Sequence, residues 1–273
     1  MRVTRRDALK GAVATAVGAI AGASAYGVAY ERHHIVRTDA SLPVSGLAPA
    51  HDGLRIAFLS DIHHSALVPA ADVSAAVQVA MRARADLIVL GGDYVTYGDR
   101  AFVGPVAELL QPLSAPHGVF AILGNHDDDR DMPAALTRHG VTVLKDQRTT
   151  IDVRGEPFEI AGIRFWTRSS REIARVLGGR PVNLLLAHDP RRLDVAAALN
   201  IPAVLSGHTH GGQIVIPGIG AVAKTRFPVL AGLGQRDNTH LFVTRGIGTV
   251  YLPARINCPP EVAVVTLRRL SSI

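Results

Sequence analysis

Residues 54–63 read LRIAFLSDIH, a short apolar run that stops at Ser60 and hands over to Asp61 and His63. The same grammar returns at Asp86–Gly91 (DLIVLG), Gly118–Gly124 (GVFAILG), Val182–Ala187 (VNLLLA) and Ala203–Gly207 (AVLSG). Uninterrupted apolar runs this short suit strands covered on both faces. Between the first two, Ala70–Ala85 (AADVSAAVQVAMRARA) has good helix propensity and apolar residues at Val73, Val77 and Val79–Ala80. Strand alternating with helix predicts an α/β architecture. Further on, Thr149–Val153, Glu159–Ile160, Ile214–Pro217, Leu241–Thr244 and Glu261–Leu267 are set apart by Gly and Pro turns and read as antiparallel strands. A core of two sheets with helices outside accommodates both textures.

The residues that close the runs are those that bind metals. Asp61-Ile62-His63 follows Leu59-Ser60, and Asp93 follows Gly91-Gly92. Asn125-His126-Asp127 follows Gly124, His188 follows Ala187, and His208-Thr209-His210 follows Gly207. Taken singly each has a bland reading: an Asp after a strand is usually a turn or cap residue, and a lone His is usually structural. Residues just beyond the strand ends of an α/β sheet converge in one crevice, however. Five strand ends delivering carboxylates, an amide and imidazoles in this order are hard to reach by accident.

The ordered set D-x-H, G-D, G-N-H-D, H and G-H-x-H resembles the blocks of the calcineurin-like metallophosphoesterase superfamily. Gly207–Gln213 (GHTHGGQ), Arg245–Gly248 (RGIG) and Arg255–Glu261 (RINCPPE) are similar to its bacterial exported phosphodiesterase-like branch. The resemblance runs from about Arg55 to Leu267. It implies an α/β fold, a four-layer α/β/β/α sandwich with a dinuclear metal site at the C-terminal ends of the strands. Carried over by motif, it implies one metal on Asp61, His63 and His210, a second on Asn125, His188 and His208, and Asp93 bridging them. Paired cations generate a hydroxide from a shared water for in-line attack on phosphorus and neutralise charge on its oxygens. The donor set fits two divalent transition-metal ions, Mn, Fe or Zn. Thr96 stands where purple acid phosphatases carry their charge-transfer Tyr, which argues against a purple Fe(III) centre.

By the same resemblance His126 is the general acid for the leaving alkoxide and Asp127 orients and charges it. The alternative is that His126 only binds a phosphate oxygen. Of Arg226, Arg245 and Arg255, Arg255 is the best candidate for a phosphate or sugar contact. His64 is assigned no role, and Cys258 reads as a buried, inert thiol. The expected activity is hydrolysis of phosphoric esters, with phosphodiester or pyrophosphate bonds favoured. A phosphomonoesterase and a metal-binding scaffold without catalysis are the alternatives.

Composition limits the rest. An apolar fraction of 48% excludes intrinsic disorder, and a single cysteine excludes an internal disulfide framework. Half of the net charge of +6 lies in the first 25 residues, where Arg2, Arg5, Arg6 and Lys10 face only Asp7. The remainder has no nucleic-acid-binding signature, and no nucleic acid is expected as a stable partner. Thr4–Lys10 (TRRDALK) resembles a twin-arginine export signal, and the uncharged tract Gly11–Tyr30 follows it. Ala23-Ser24-Ala25 fits a small-x-small cleavage site. The expected organisation is a signal over 1–25 (or an anchor to about 30), a linker over 31–53 and the catalytic domain over 54–273. The expected partners are a small-molecule or lipid-linked phosphoester, the twin-arginine export machinery and, through residues 11–30, a membrane. The expected location is periplasmic, extracellular or anchored at the outer face.

Overall fold

The computed structural model describes residues 4–223 and 226–270. Its first sheet has six strands in the order β1 (Val36–Val44), β14 (Glu261–Arg269), β2 (Arg55–Leu59), β3 (Leu87–Leu90), β4 (Val119–Ala121) and β5 (Thr142–Val143). Strands β2 to β5 run parallel, while β14 lies antiparallel to β2 and parallel to β1. The second six-stranded sheet runs β12 (Gly232–Arg236), β13 (Thr239–Val243), β9 (Ala203–Ser206), β8 (Leu184–Ala187), β7 (Glu156–Ile163) and β6 (Gln147–Val153). Only its edges, β6 and β12, are antiparallel to their neighbours. Strand β13, expected as antiparallel, is antiparallel to β12 and parallel to β9. A small hairpin, β10 (Val215–Ile216) and β11 (Gly220–Ala221), stands apart from both sheets.

The period-two geometry of a strand explains the layers. On β2, Ile56 and Phe58 point between the sheets, where they meet Phe158, Ile160, Leu184, Leu205 and Phe242. Ala57 and Leu59 point the other way, onto helices α2 (Ala70–Ala83), α3 (Val103–Leu110) and α4 (Asp131–Arg138). Helices α5 (Ser170–Leu177) and α6 (Leu193–Ala198) cover the outer face of the second sheet. The result is the expected α/β/β/α sandwich. Each fully buried Leu, Ile, Val or Phe in its core is worth about 1.5–3 kcal/mol. Helix α2 buries Val73, Ala76, Val77, Ala80 and Ala83, and stops where Arg84 turns left-handed (φ 48°).

The stretch 31–53, expected as a linker, is part of the domain. Its strand β1 pairs with β14 from Val36↔Glu261 to Val44↔Arg269. Half-exposed alternation and Pro43 hid it, since both are properties of an edge strand. Upstream, helix α1 (Arg5–Ala29) starts at a capping box in which Thr4 Oγ1 accepts the Asp7 N–H at 3.2 Å. It is long and apolar enough to cross a membrane. Its C-terminal end is docked: the Gly27 carbonyl accepts the Arg255 N–H at 3.1 Å. The buried Glu31 carboxylate accepts the N–H groups of Asn257 (3.1 Å) and Cys258 (2.6 Å).

Candidate metal centre

The candidate ligands stand on the turns that follow β2, β3, β4, β8 and β9, at one end of the sandwich. Five of the candidate ligands adopt left-handed backbone: Asp61 (φ 53°), His63 (49°), Asp93 (55°), His208 (72°) and His210 (52°). Such conformations cost a residue with a Cβ about 1–2 kcal/mol each, so the surroundings must hold them in place. Asp127 is one such constraint. Its Oδ2 accepts the N–H groups of Asp93 (2.7 Å) and Gly124 (2.8 Å), and its Oδ1 that of Tyr94 (2.7 Å). The turns after β3 and β4 are thereby fastened together. They touch so closely that a Cβ on Gly92 would lie 2.8 Å from the Leu123 carbonyl carbon.

Asp61, His63 and His210 form a first group, all buried, with ligand atoms within 4.8 Å of one another. His63 Nε2 and His210 Nε2 face each other at 3.2 Å, and His210 Nε2 lies 3.5 Å from Asp61 Oδ1. Asp93, His188 and His208 form a second group of the same size. His188 Nδ1 is 2.7 Å from the Gly91 carbonyl, to which it donates, so Nε2 is aimed inward. Asp93 links the groups. Its Oδ1 accepts the His126 N–H (2.8 Å), while Oδ2 lies 3.1 Å from His188 Nε2 and 3.6 Å from His63 Nε2. Asn125 Oδ1 is buried without a hydrogen-bond partner. An orphaned acceptor beside converging imidazoles is what a cation site requires, and the donor set fits two divalent metal ions.

Burial tunes the groups differently. It pulls the His63 imidazole down to about 4 and holds His210 well below its ordinary range, with His63 adding to the effect. Burial also pushes the Asp61 carboxyl up to about 6 and, together with the charge on His188, pulls His208 down to about 4. At His188 burial is outweighed by the carboxylates of Asp93 and Asp61, which raise the imidazole to about 10. Asp93, despite its burial, is held far below the carboxylate range by His188 and His63.

Two expectations need correction. Asp127 does not orient His126, since its oxygens are engaged by three backbone N–H groups. Instead the Tyr97 N–H donates to His126 Nδ1 at 3.0 Å, which leaves Nε2 to carry the ring's proton into the cleft. Arg255 is not placed for a substrate. It is wholly buried and donates to the carbonyls of Arg245 (2.8 Å), Gly248 (2.6 Å) and Cys258 (3.1 Å), with His210 at 3.5 Å. A guanidinium so engaged is a strut for the loops behind His210. Arg245 pairs with Glu261, and the buried His64 lies 2.9 Å from the Val68 carbonyl, to which its Nδ1 donates. Tyr94 turns its hydroxyl to the Ile122 carbonyl, away from the site.

Further residues border the centre, among them aromatic ones to which the sequence assigned no role. Thr96 Oγ1 lies 3.3 Å from His63 Nδ1. The rings of Phe165 and Phe227 flank His208, each 5.3 Å away. Tyr97 lies against His126 and Tyr251. Aromatic residues in loops carry no periodic signal, and no sequence pattern distinguished them.

Residues 54–212 match the model of the calcineurin-like phosphoesterase family, so the chain belongs to it. It is 34% identical over 224 residues to the phosphodiesterase YaeI of Escherichia coli (strain K12), covering 78% of this chain and 82% of that protein. It is 32% identical to the uncharacterized metallophosphoesterase YkuE of Bacillus subtilis (strain 168), across 98% of both chains. The crystal structure of TT1561 of Thermus thermophilus is 12% identical, with a TM-score of 0.49 over 71% of this chain and 90% of that one. With the two ligand groups, the family makes this chain a dinuclear-metal-dependent hydrolase of phosphoric esters.

Proposed function

We propose that the chain is a phosphodiesterase whose first metal is held by Asp61, His63 and His210 and whose second is held by Asn125, His188 and His208, with Asp93 Oδ2 between them. The observation that carries this reading is the position of that oxygen, within 3.6 Å of an imidazole of each group. Two divalent cations bound there supply Lewis acidity toward water and toward the phosphoryl oxygens. The chain's own residues do the rest. His126 presents Nε2–H to an oxygen of the ester, its orientation set by the Tyr97 N–H on Nδ1. Its backbone N–H fixes which Asp93 oxygen faces the metals. Asp127 keeps both turns rigid through its three N–H bonds.

A diester is favoured over a monoester by charge. The cleft beside His126 is bordered by Asp127, Asp128 and Asp129; among the described residues no Arg or Lys lines it, although Lys145 (3.1 Å) and Arg164 (3.6 Å) pair with Asp129 from outside. A diester brings one negative charge there and a monoester nearly two, so repulsion weighs more on the monoester. The similarity to a protein named as a phosphodiesterase points the same way. Donor type admits Mn, Fe or Zn alike, and manganese is the ion we propose to supply first. Helix α1, with Arg5-Arg6 in its first turn, is read as a twin-arginine signal or anchor that places the domain outside the cytoplasm.

The test uses protein stripped of metal and resupplied with Mn²⁺, Fe²⁺ or Zn²⁺ separately. Bis-aryl phosphodiester hydrolysis is expected to return with metal, to exceed hydrolysis of the matching monoester, and to be lost in Asp93→Asn. Tight binding of two metals without turnover of either ester would replace the enzyme by a scaffold.

A further inference from the structure

One wall of the metal centre opens into a feature that phosphoester hydrolysis by itself does not need. A cavity of about 400 Å³ begins at His208 and His210 and runs out between Ile214, Val222, Ala223 and Phe227 on one side and Val250 and Leu252 on the other. Among the described residues no Asp, Glu, Lys or Arg lines it. Phe227 meets the His208 ring edge-on at 5.3 Å, so the apolar surface starts one ring away from a candidate ligand. The two walls are fastened to each other. Gln213 Oε1 accepts the Val250 N–H at 2.7 Å and Gln213 Nε2 donates to the Leu252 carbonyl at 3.2 Å. The groove is therefore built, with a polar side chain spent on holding it open.

Its mouth is apolar as well. Of the residues that line the groove, Tyr251 is 76% exposed and Val222 and Leu252 more than half exposed, and Ile219 at the tip of the adjoining β10–β11 hairpin is 78% exposed. Contiguous exposed apolar surface beside a catalytic cleft marks a place where an apolar ligand or a membrane is met. The end of α1 lies next door. Gly27 pairs with Arg255, and the following residue, Ile256, accepts the Val215 N–H at 2.9 Å and donates to the Gln213 carbonyl at 2.9 Å. The one helix able to cross a membrane among the described residues thus ends two hydrogen-bonded steps from the groove wall. The cleft around His126, which adjoins the groove at Tyr251, is polar and acidic.

We infer that the groove takes the hydrocarbon tail of an amphiphilic phosphoester, while the polar head leaves through the acidic cleft at His126. This rests on the phosphodiesterase reading and names its substrate class. The tail lies along Phe227 and Leu252, its phosphorus end reaches His208 and His210, and the hairpin and Tyr251 sit where the tail enters from the membrane. Each methylene buried in such a groove is worth up to about a fourfold gain in binding. A soluble head group of the same chemistry gains nothing from it.

The experiment uses the full chain, loaded with Mn²⁺ and reconstituted in phosphatidylcholine nanodiscs, beside a Val222→Asp/Leu252→Asp variant. Both replaced side chains are half out in solvent, so the fold tolerates the charges. Two substrates are compared, p-nitrophenyl methyl phosphate and p-nitrophenyl dodecyl phosphate, and binding of methylphosphonate and dodecylphosphonate is measured in parallel. The expected result is that the dodecyl-to-methyl ratio of kcat/KM falls at least tenfold in the variant, and that the dodecylphosphonate preference falls with it. Because partitioning into the disc is the same for both proteins, an unchanged ratio overturns the tail site. If neither ester is hydrolysed by protein carrying two metals, the hydrolase reading fails and phosphonate binding decides the groove alone. Tail-dependent binding that the variant loses keeps it, and tail-independent binding removes it.

Discussion

Asp61, His63 and His210 on one side of Asp93 Oδ2, and His188 and His208 on the other, draw on the same side-chain types, yet the protein charges them differently. In the first group both imidazoles are neutral at physiological pH because burial disfavours their protonated forms. In the second, His188 faces two carboxylates and keeps its proton up to about 10, while His208 loses its own. The first group therefore receives a cation as it stands. The second must first give up a proton that Asp93 and Asp61 hold in place. Nothing in the order of residue types reveals this difference. It comes from how closely each ring approaches a carboxylate: Asp93 Oδ2 is 3.1 Å from His188 Nε2 but 3.6 Å from His63 Nε2.

The largest test of the comparison is Asp93→Asn, which removes the charge both groups share. Diester hydrolysis is expected to fall by more than about 10³-fold, beyond the loss from a single transition-state hydrogen-bond donor. Mass spectrometry of the intact protein should find both metals depleted. Asp61→Asn is expected to deplete the first group and spare the second. Retention of two metals in Asp93→Asn would break the bridge.

His126→Ala comes next, with a turnover loss of about 10²–10⁴-fold, the range for a positioned proton donor. Metal content should stay at two, since the ring is not among the ligands. A variant that also lost metal would move His126 into one of the groups.

Arg255→Met sharpens the comparison from behind. It frees the carbonyl of His210 and those of the neighbouring loops. Affinity of the first group is expected to drop about 10- to 100-fold, the usual cost of losing an outer partner of a metal ligand. The second group should bind as before, as read by titrating each metal under competition with a chelator.

The smallest effect is a proton count. A metal accepts only the neutral imidazole, and His188 is protonated at pH 8, so filling the second group should release about one proton. The first group should release close to none at that pH, because Asp61 is already ionised above about 6 and its imidazoles are neutral. Release should fade as pH rises through about 10, and affinity of the second group should climb until then. Calorimetry in buffers of different ionisation enthalpy separates the two. Equal release from both groups would erase the distinction.

Much of the site was legible because apolar runs ending in Asp, His or Asn place those residues at strand ends, and strand ends of one sandwich converge. The five runs from Leu54 to Gly207 became β2, β3, β4, β8 and β9 within three residues at either end. What stayed hidden depended on partners far away in sequence. Strand β1 is polar on alternate residues because one of its faces meets water, and only its pairing with β14 makes it a strand. Arg255 has the chemistry of a phosphate ligand, and only its burial against main-chain carbonyls assigns it elsewhere. Asp127 follows a His, as an orienting carboxylate does, but its oxygens point back along the chain to Asp93, Tyr94 and Gly124.

The position of β14 carries a consequence for how the molecule comes into being. It lies inside the first sheet, between β1 and β2, with Ala263 paired to Phe58 and Val36 to Glu261. A ribosome has released β1, β2 and every metal ligand long before it makes the strand that joins them. Contacts of such separation are slow to form, and until they do the sheet has a slot lined by Ile56 and Phe58. Assembly is therefore a late, all-or-none closure. A chain cut short before Glu261 encodes both metal groups and has no completed sheet to hold them.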